Sequence, residues 1–355
     1  MSVNVPVGGN SPGEKYEKPS GATTGLPLIL RGCFALFTQL KLSNRYPGHA
    51  RMPSQPQFSL SQAFRLIRPK QWIKNSFVFA PLIFSRQLFD PALLGMTLRA
   101  FAAFCLTASS IYIINDFADL EADRAHPEKR NRPLAAGTLA PRHALSVLVL
   151  LLAGAAILVA GINLRFVAFL MTYFVMNIAY SLKLRDVFLL DVFIIAAGFM
   201  LRVLGGAYAI DVTVSSWLVL CSLFISLFLG FAKRRGELVQ SEQANTKRST
   251  LKLYRTDFLD QLLTIAAAGT VISYALYTVA PRTVEVFGTD RLIYTTVFVM
   301  YGVFRYMYLI HTTSAVENPT NAVTADAPII INALLWIGVC VFLIYYGGGI
   351  PGLGR

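Results

Sequence analysis

Long apolar runs separated by short polar and basic segments dominate the chain from about residue 70 onward. An α-helix needs roughly 20 such residues to cross a hydrocarbon core about 30 Å thick. We place nine spans at about 71–88, 92–115, 141–161, 165–181, 188–208, 214–232, 258–281, 291–311 and 328–346. The pattern predicts an all-α, polytopic membrane protein, built as a bundle of nine transmembrane helices.

The first 57 residues lack this pattern. They are rich in Gly, Pro, Ser and Asn without any period, which predicts a disordered cytoplasmic leader. The apolar piece 26–37 is too short to span a bilayer, and no small-residue cleavage site follows it, so we expect no signal peptide. Residues 58–355 are expected to form one nine-helix intramembrane domain.

Composition supports the membrane class. Hydrophobic residues make up 55% of the chain and charged residues only 14%, against about 25% charged in a soluble domain. This excludes a soluble enzyme, a secreted disulfide scaffold and a disordered chain. The net charge of +13 is typical of cytoplasmic loops that contact anionic lipid or phosphate, so we expect membrane lipid and no nucleic acid as a partner.

Loop charges predict the orientation of the spans. The loops after the second, fourth and sixth spans carry fourteen Lys and Arg residues, whereas the opposite side carries five. Because positive loops remain inside, we expect a cytoplasmic N-terminus and a C-terminus on the outer side.

An acidic segment, Asn115-Asp116-Phe-Ala-Asp119-Leu-Glu-Ala-Asp123, ends the second span. Asp119 lies four residues after Asn115, three after Asp116 and four before Asp123, so these side chains share one helix face. Such oxygens suit Mg²⁺, which takes further ligands from water and substrate phosphates. We predict that these four residues bind Mg²⁺ at a diphosphate site. The alternative is a solvated acidic helix end without a ligand.

Basic residues flank this segment. Arg130 lies in the run His126-Pro-Glu-Lys-Arg-Asn-Arg-Pro and is a candidate phosphate ligand, although the run could equally serve only to fix the topology. Lys70 and Lys74 lie one turn apart at the start of the first span. Their position is compatible with a clamp on a lipid phosphate and with a plain anchor at the membrane surface.

The order NDxxDxxxD, then P-x-K-R-x-R-P-x-x-x-G, resembles the first signature of the UbiA superfamily of intramembrane prenyltransferases. The resemblance covers roughly residues 60–346. It implies a nine-helix bundle with a lateral opening to lipid and a cytoplasmic cap over a Mg²⁺–diphosphate site. Residues 58–355 would then be a transferase domain in a bacterial inner membrane.

Segments 68–75, 180–202 and 230–238 further resemble one branch of this superfamily. Its members move 5-phosphoribose from phosphoribosyl diphosphate to a polyprenyl (decaprenyl) phosphate, releasing diphosphate, for cell-wall arabinan precursors. The loop after the sixth span lacks the second acidic DxxxD of prenyl-diphosphate users and carries Lys233, Arg234 and Glu237 instead. Bases in place of acids favour a direct contact with phosphate.

Two alternatives stay open at this point. One is a UbiA-type prenyltransferase that moves a prenyl group from a prenyl diphosphate to an aromatic or lipid acceptor, against which the missing DxxxD argues. The other is a transporter, although the odd number of spans and the lack of two similar halves are atypical of one. A homo-oligomer is compatible with either enzyme.

The resemblance also implies roles for single residues. Asp191 and Tyr180 would flank the ribose, Lys183 or Arg185 would hold a phosphate, and the lipid phosphate needs no general base because it is already anionic. Arg202 is expected to extend to the outer membrane surface. The candidate catalytic residues are therefore Asp116, Asp119, Asp123 and Asp191. The candidate metal ligands are Asn115, Asp116, Asp119 and Asp123. The candidate substrate-binding residues are Lys70, Lys74, Arg130, Tyr180, Lys183, Arg185, Lys233, Arg234 and Glu237.

Overall fold

Helices are the regular elements of the described part of the chain. The computed structural model describes residues 59–126, 129–244, 253–312 and 326–346, with backbone only for 240–244. These residues belong to one unit, Pro56–Arg355, and the all-α class is confirmed. The predicted leader, residues 1–57, lies outside the described residues, and its disorder stays a prediction.

Twelve α-helices follow one another in this part of the chain. They are α1 Leu60–Ile67, α2 Ala80–Ile83, α3 Pro91–Ala118, α4 Leu120–Ala125, α5 Pro141–Val159, α6 Leu164–Leu182, α7 Leu190–Ala209, α8 Ser216–Ala244, α9 Thr256–Val279, α10 Pro281–Phe287, α11 Thr296–Thr312 and α12 Ala327–Tyr346. Short 3₁₀ helices join them at Pro69–Phe79, Lys129–Asn131, Leu184–Asp186 and Arg291–Thr295.

Within the described residues, eight helical segments are long and apolar enough to cross a membrane. They are α3, α5, α6, α7, α8 as far as Val239, α9, α11 with its preceding 3₁₀ turn, and α12. These segments coincide with the second to ninth predicted spans, with ends shifted by a few residues. The chain is therefore an integral, multi-pass membrane protein.

The first predicted span, 71–88, is not an α-helix of membrane-crossing length. The segment is the 3₁₀ helix Pro69–Phe79 followed by the four residues of α2. Arg68 before it has a left-handed backbone with φ 56, and Pro81 lies in the first turn of α2. Because a 3₁₀ helix rises about 2.0 Å per residue, the two pieces extend about 28 Å, close to the thickness of a bilayer core. The ninth crossing and the cap stay predictions.

Helices α3 and α7 lie at the centre of the bundle. In each, 61% of the most apolar window is buried within the protein, against 17% in α6 and α12. Large apolar side chains on α5 point outward, as at Leu150 and Ile157, which are 70% and 73% exposed. Such exposure is typical of side chains that face lipid rather than a protein core.

The 3₁₀ helix Pro69–Phe79 packs against both α3 and α7. Its contact with α7 is closest at Gly206, where an added Cβ would lie 2.2 Å from the carbonyl oxygen of Val78. Only glycine permits this approach of two backbones.

Several helix ends meet on one side of the bundle and define the site. Helix α3 ends at Ala118, and Asp119 is the residue that caps this end. Helix α6 ends at Leu182, and α7 begins after Leu189, which has φ 64. The polar side chains at these ends therefore face one another.

Candidate active site

A cavity of about 470 Å³ lies among α3, α6, α7, α8 and the 3₁₀ helix Pro69–Phe79. This volume is within the range of small-molecule sites, roughly 300–1,000 Å³. Two of its lining residues are acidic, Asp116 and Asp119. Seven are basic, namely Arg68, Lys74, Lys129, Arg132, Arg185, Arg202 and Lys233.

The carboxylates at the end of α3 are held by arginines. Asp116 is only 2% exposed and accepts hydrogen bonds from Arg68 and from Arg132, the latter at 3.2 Å. Arg132 also donates to Asp123 at 2.5 Å. The buried charges are thus compensated by cations from two other segments of the chain, as burial of ionised groups requires.

Asp119 has a separate partner. Arg185, in the 3₁₀ turn between α6 and α7, donates to both of its carboxylate oxygens at 3.1 and 3.2 Å. These hydrogen bonds to Asp119 raise the pKa of Arg185 above its ordinary value. The bidentate pair ties the end of α3 to the start of α7.

The four predicted metal ligands are not assembled into one cluster. Among the described residues, no group of three or more His, Cys, Asp or Glu side chains is close enough to hold a metal ion. Asn115, Asp116 and Asp119 line the cavity, whereas Asp123 lies behind Arg132. Repulsion among the acids is relieved here by arginine, and the predicted metal binding remains a prediction.

The donor atoms nevertheless fit a hard divalent cation. Asn115 Oδ1 and Asp116 Oδ2 are buried and have no hydrogen-bond partner within the described structure. A buried oxygen without a donor is costly, and both residues line the cavity. Amide and carboxylate oxygens are the ligand types that Mg²⁺ takes.

Asp191, expected beside the ribose, lies instead in a buried ion pair and does not line the cavity. Its carboxylate is 2.5 Å from Arg234 Nε, with both side chains 4% exposed or less. Tyr254 donates to the same carboxylate at 2.8 Å. Burial and this hydrogen bond raise the pKa of Tyr254 above its ordinary value.

Arg234 extends this buried network to the cavity wall. It pairs with Glu237 one turn along α8 and donates to the hydroxyl of Tyr180 at 2.8 Å. Tyr180 lines the cavity, whereas Arg234 and Glu237 do not. Arg234 and Glu237, both predicted to bind substrate, therefore lie behind Tyr180, and Arg234 contacts the cavity wall through the Tyr180 hydroxyl.

The predicted basic residues divide into two groups. Lys74, Arg185 and Lys233 line the cavity, and Lys233 lies 3.7 Å from Glu237. The exposed side chains of Lys70, Arg130 and Lys183 do not line it. The roles assigned to these three residues stay predictions.

Sequence reasoning missed Arg68, Arg132 and Arg202 as site residues. The first two lie inside the quoted motifs, where their neighbours were chosen instead, and only the fold shows which bases reach Asp116. The expectation for Arg202 is wrong, because its side chain is 6% exposed and lines the cavity. Side chains on a helix tilt toward its N-terminus, which in α7 is the end carrying Asp191, and Arg202 accordingly donates to the carbonyl oxygen of Gly198 one turn earlier.

Three comparisons relate the chain to known proteins. Residues 76–323 match the model of the UbiA prenyltransferase family. The decaprenyl-phosphate phosphoribosyltransferase of Mycolicibacterium smegmatis is 32% identical over 301 residues, covering 82% of this chain and 95% of that protein. The protein of the same name from Corynebacterium glutamicum is 36% identical over 241 residues, covering 63% of this chain and 69% of that protein.

A solved structure shares the fold. It is a UbiA homologue from Archaeoglobus fulgidus bound to GPP and Mg²⁺, with a TM-score of 0.62 and 19% identity. The match covers 80% of this chain and 99% of that one. At this identity the likeness supports the architecture alone.

Proposed function

The chain belongs to the UbiA prenyltransferase family, and we propose that it transfers 5-phosphoribose from phosphoribosyl diphosphate to a polyprenyl phosphate such as decaprenyl phosphate. Diphosphate is released, and the lipid product would serve cell-wall arabinan synthesis. The two named relatives support this reaction, since both are decaprenyl-phosphate phosphoribosyltransferases.

The charge of the cavity is the observation that carries the proposal. Seven basic and two acidic residues line it. A phosphoribosyl transfer brings together a diphosphate, a ribose phosphate and a lipid phosphate, whereas prenyl transfer to a neutral acceptor brings only one diphosphate. The excess of cations fits the more highly charged pair of substrates.

We propose that the diphosphate binds at the end of α3. Asn115, Asp116 and Asp119 would hold a Mg²⁺ ion there, which when bound would neutralise the diphosphate and favour its departure. Arg132 and Arg185, which lie on these carboxylates, would donate to the phosphate oxygens. The buried, unpartnered oxygens of Asn115 and Asp116 support this assignment.

The reaction is a substitution at C1 of the ribose. An anionic oxygen of the lipid phosphate forms the new C1–O bond, and the bond to diphosphate breaks with its electron pair on the departing oxygen. No proton needs to be removed from the nucleophile. Carboxylates lining the cavity favour the positive charge that develops at C1.

The isoprenoid tail requires an apolar neighbour of the site. A second cavity of about 440 Å³ lies among α8, α9, α11 and α12 and is walled almost entirely by apolar atoms. It shares Phe77 and Leu229 with the first cavity, which we call the polar cavity because seven basic and two acidic residues line it. We propose that the first isoprene units lie here, so that the phosphate reaches the polar cavity.

We further propose the membrane arrangement that the loop charges indicate. The N-terminus and the polar cavity face the cytoplasm, where phosphorylated metabolites occur, and the C-terminus lies outside a bacterial inner membrane. The nine crossings, the cap and the leader 1–57 are part of this proposal.

The test uses the full chain in membranes with labelled phosphoribosyl diphosphate, Mg²⁺ and decaprenyl phosphate. We expect a labelled lipid, its loss with EDTA, and its recovery with added Mg²⁺. Asp116→Asn and Asp119→Asn should lower its formation at least 100-fold, about 2.7 kcal/mol of transition-state stabilisation. Asp257→Asn, in the exposed pair with Arg255, is the matched control and should retain activity.

Two results would reject the proposal. One is the absence of any labelled lipid from active, folded protein. The other is the transfer of a prenyl group from GPP under the same conditions, which would favour the prenyltransferase alternative.

A further inference from the structure

Arg202 is a buried cation that has no acidic partner among the residues that the structure describes. Its guanidinium donates to Asn75 Oδ1 at 2.6 Å, to the carbonyl oxygen of Gly198 at 2.7 Å and to the hydroxyl of Tyr173 at 2.7 Å. It also lies over the ring of Tyr173, 4.5 Å from the centroid. Every one of these partners is neutral.

Four other cavity bases differ from Arg202 in this respect. Arg68 and Arg132 pair with Asp116, Arg185 with Asp119, and Lys233 with Glu237. Within the described residues, no carboxylate lies in ion-pair distance of Arg202 or of Lys74, which lines the same cavity. A buried charge at membrane depth is costly unless it meets an opposite charge.

Two N–H donors of Arg202 remain after its observed hydrogen bonds are counted. A guanidinium has five N–H donors, and the three contacts use one on each nitrogen. One N–H therefore remains on each terminal nitrogen. Guanidinium N–H groups of this kind donate readily to the oxygens of a phosphate.

The position of the Arg202 guanidinium along α7 suits a second anion beside the proposed diphosphate. Gly198, which accepts from Arg202, lies seven residues beyond Asp191 on α7, or about 10 Å along the helix. Arg185, which binds Asp119, precedes the same end of α7. The guanidinium of Arg202 thus lies deeper in the bundle than the acidic end of the cavity, by about 10 Å along α7.

We infer that Arg202, with Lys74, forms a second phosphate subsite that binds a phosphate monoester of one of the two substrates. The inference rests on the proposed function for the identity of those substrates. Two sources share this chemistry, the 5-phosphate of the donor and the phosphate of the lipid acceptor. Asn75, Gly198 and Tyr173 hold the guanidinium in place and leave two of its N–H donors to the ligand.

The experiment compares detergent-purified full-length wild type with Arg202→Gln and Arg202→Lys. The KM for phosphoribosyl diphosphate and the KM for decaprenyl phosphate are measured separately. We expect one of them to rise roughly 10- to 100-fold in Arg202→Gln, the range of a lost hydrogen bond to a charged group, and less in Arg202→Lys. A rise for the donor assigns the 5-phosphate, and a rise for the acceptor assigns the lipid phosphate.

Arg99→Gln is the matched control. Arg99 also donates only to neutral groups, the carbonyl oxygens of Leu158 and Ala160, but it does not line the cavity. Both KM values should stay within twofold of wild type. Unchanged KM values in Arg202→Gln, or equal effects of the Arg99 and Arg202 variants, would overturn the inference.

A binding measurement separates this inference from the proposed function and covers a poorly folded Gln variant. Ribose 5-phosphate and decaprenyl phosphate are added singly, and the thermal midpoint is followed with Arg202→Lys as the comparison. One ligand should stabilise wild type and should stabilise Arg202→Lys less, even if no lipid product forms. Equal shifts in both proteins would reject the subsite, whereas a shift without turnover would reject only the proposed function.

Discussion

Replacing Asp191 by Asn should weaken the fold, because this carboxylate neutralises Arg234 in the interior. Asp191 is 1% exposed, and its partner Arg234 is 3% exposed. The amide keeps an acceptor for the Tyr254 hydroxyl and for the backbone N–H of Val192, both of which bind the carboxylate in the native protein. The substitution therefore removes charge with little change in shape.

The magnitude follows from what Arg234 retains. Removing the only partner of a buried charge costs about 3–5 kcal/mol. Arg234 keeps the carboxylate of Glu237, so we expect a smaller loss, about 2 to 3 kcal/mol, which is the range of a hydrogen bond between charged groups. For a chain of this size that loss lowers the thermal midpoint by roughly 4 to 12 °C.

Thermal unfolding of the purified protein, followed by tryptophan fluorescence, measures the effect. Asp257→Asn is the control, since its pair with Arg255 is 67% and 80% exposed, and its midpoint should match that of wild type. A cycle with Arg234→Gln should give a coupling free energy above about 1 kcal/mol. An Asp191→Asn protein with native stability and abolished turnover would refute this reasoning and favour a direct catalytic role.

Three further outcomes are expected. Gly206→Ala should lower the free energy of unfolding by about 1 to 3 kcal/mol, because the added Cβ overpacks against the backbone of Val78. At Gly95 an added Cβ has no neighbour within 4 Å, so Gly95→Ala is the control and should be neutral or slightly stabilising in thermal unfolding. Arg185→Lys should lower kcat/KM about tenfold without a change in midpoint, since a lysine cannot bind both oxygens of Asp119; unchanged kinetics would contradict this. A hydrogen bond from Arg305 lowers the pKa of Asp326 below its ordinary value. The stability advantage of wild type over Asp326→Asn should therefore be present above about pH 4 and disappear as the pH falls through that lowered pKa. An advantage that grew in acid would contradict this.

The hydrophobic pattern predicted most of the architecture. Eight spans follow from run length alone, because apolar length is what a bilayer selects. The apolar content of segment 71–88 predicts an α-helix. The structure has instead a 3₁₀ helix that begins at Pro69 and packs closely on Gly206, followed by the short α2 with Pro81 in its first turn. Run length carries no signal for that geometry.

The site was only half predictable. The face formed by Asn115, Asp116 and Asp119 follows from helical spacing, and the structure brings these three side chains to one cavity. Their partners could not be derived, because the contact of Arg185 with Asp119 joins residues 66 positions apart. Spacing along one helix cannot reveal a pairing made by tertiary packing.

The surroundings of isolated charges were harder to predict than those of the acidic segment. Asp191 and Arg202 both lie on α7, and local reasoning assigned one to the cavity and the other to the outer surface. In the fold, Asp191 is buried against Arg234, while Arg202 lines the cavity instead of extending to the outer surface. Which buried group a charge meets depends on the neighbouring helices, here α8 for Asp191 and the 3₁₀ helix Pro69–Phe79 for Arg202.

Mass spectrometry of the lipid formed when two donors compete tests the central claim most directly. Purified protein receives equal amounts of phosphoribosyl diphosphate and GPP, together with decaprenyl phosphate and Mg²⁺. The account predicts one new lipid, decaprenyl phosphate carrying a single phosphoribosyl group, with diphosphate released in equal amount and GPP left intact. A prenylated product with phosphoribosyl diphosphate left intact would contradict it.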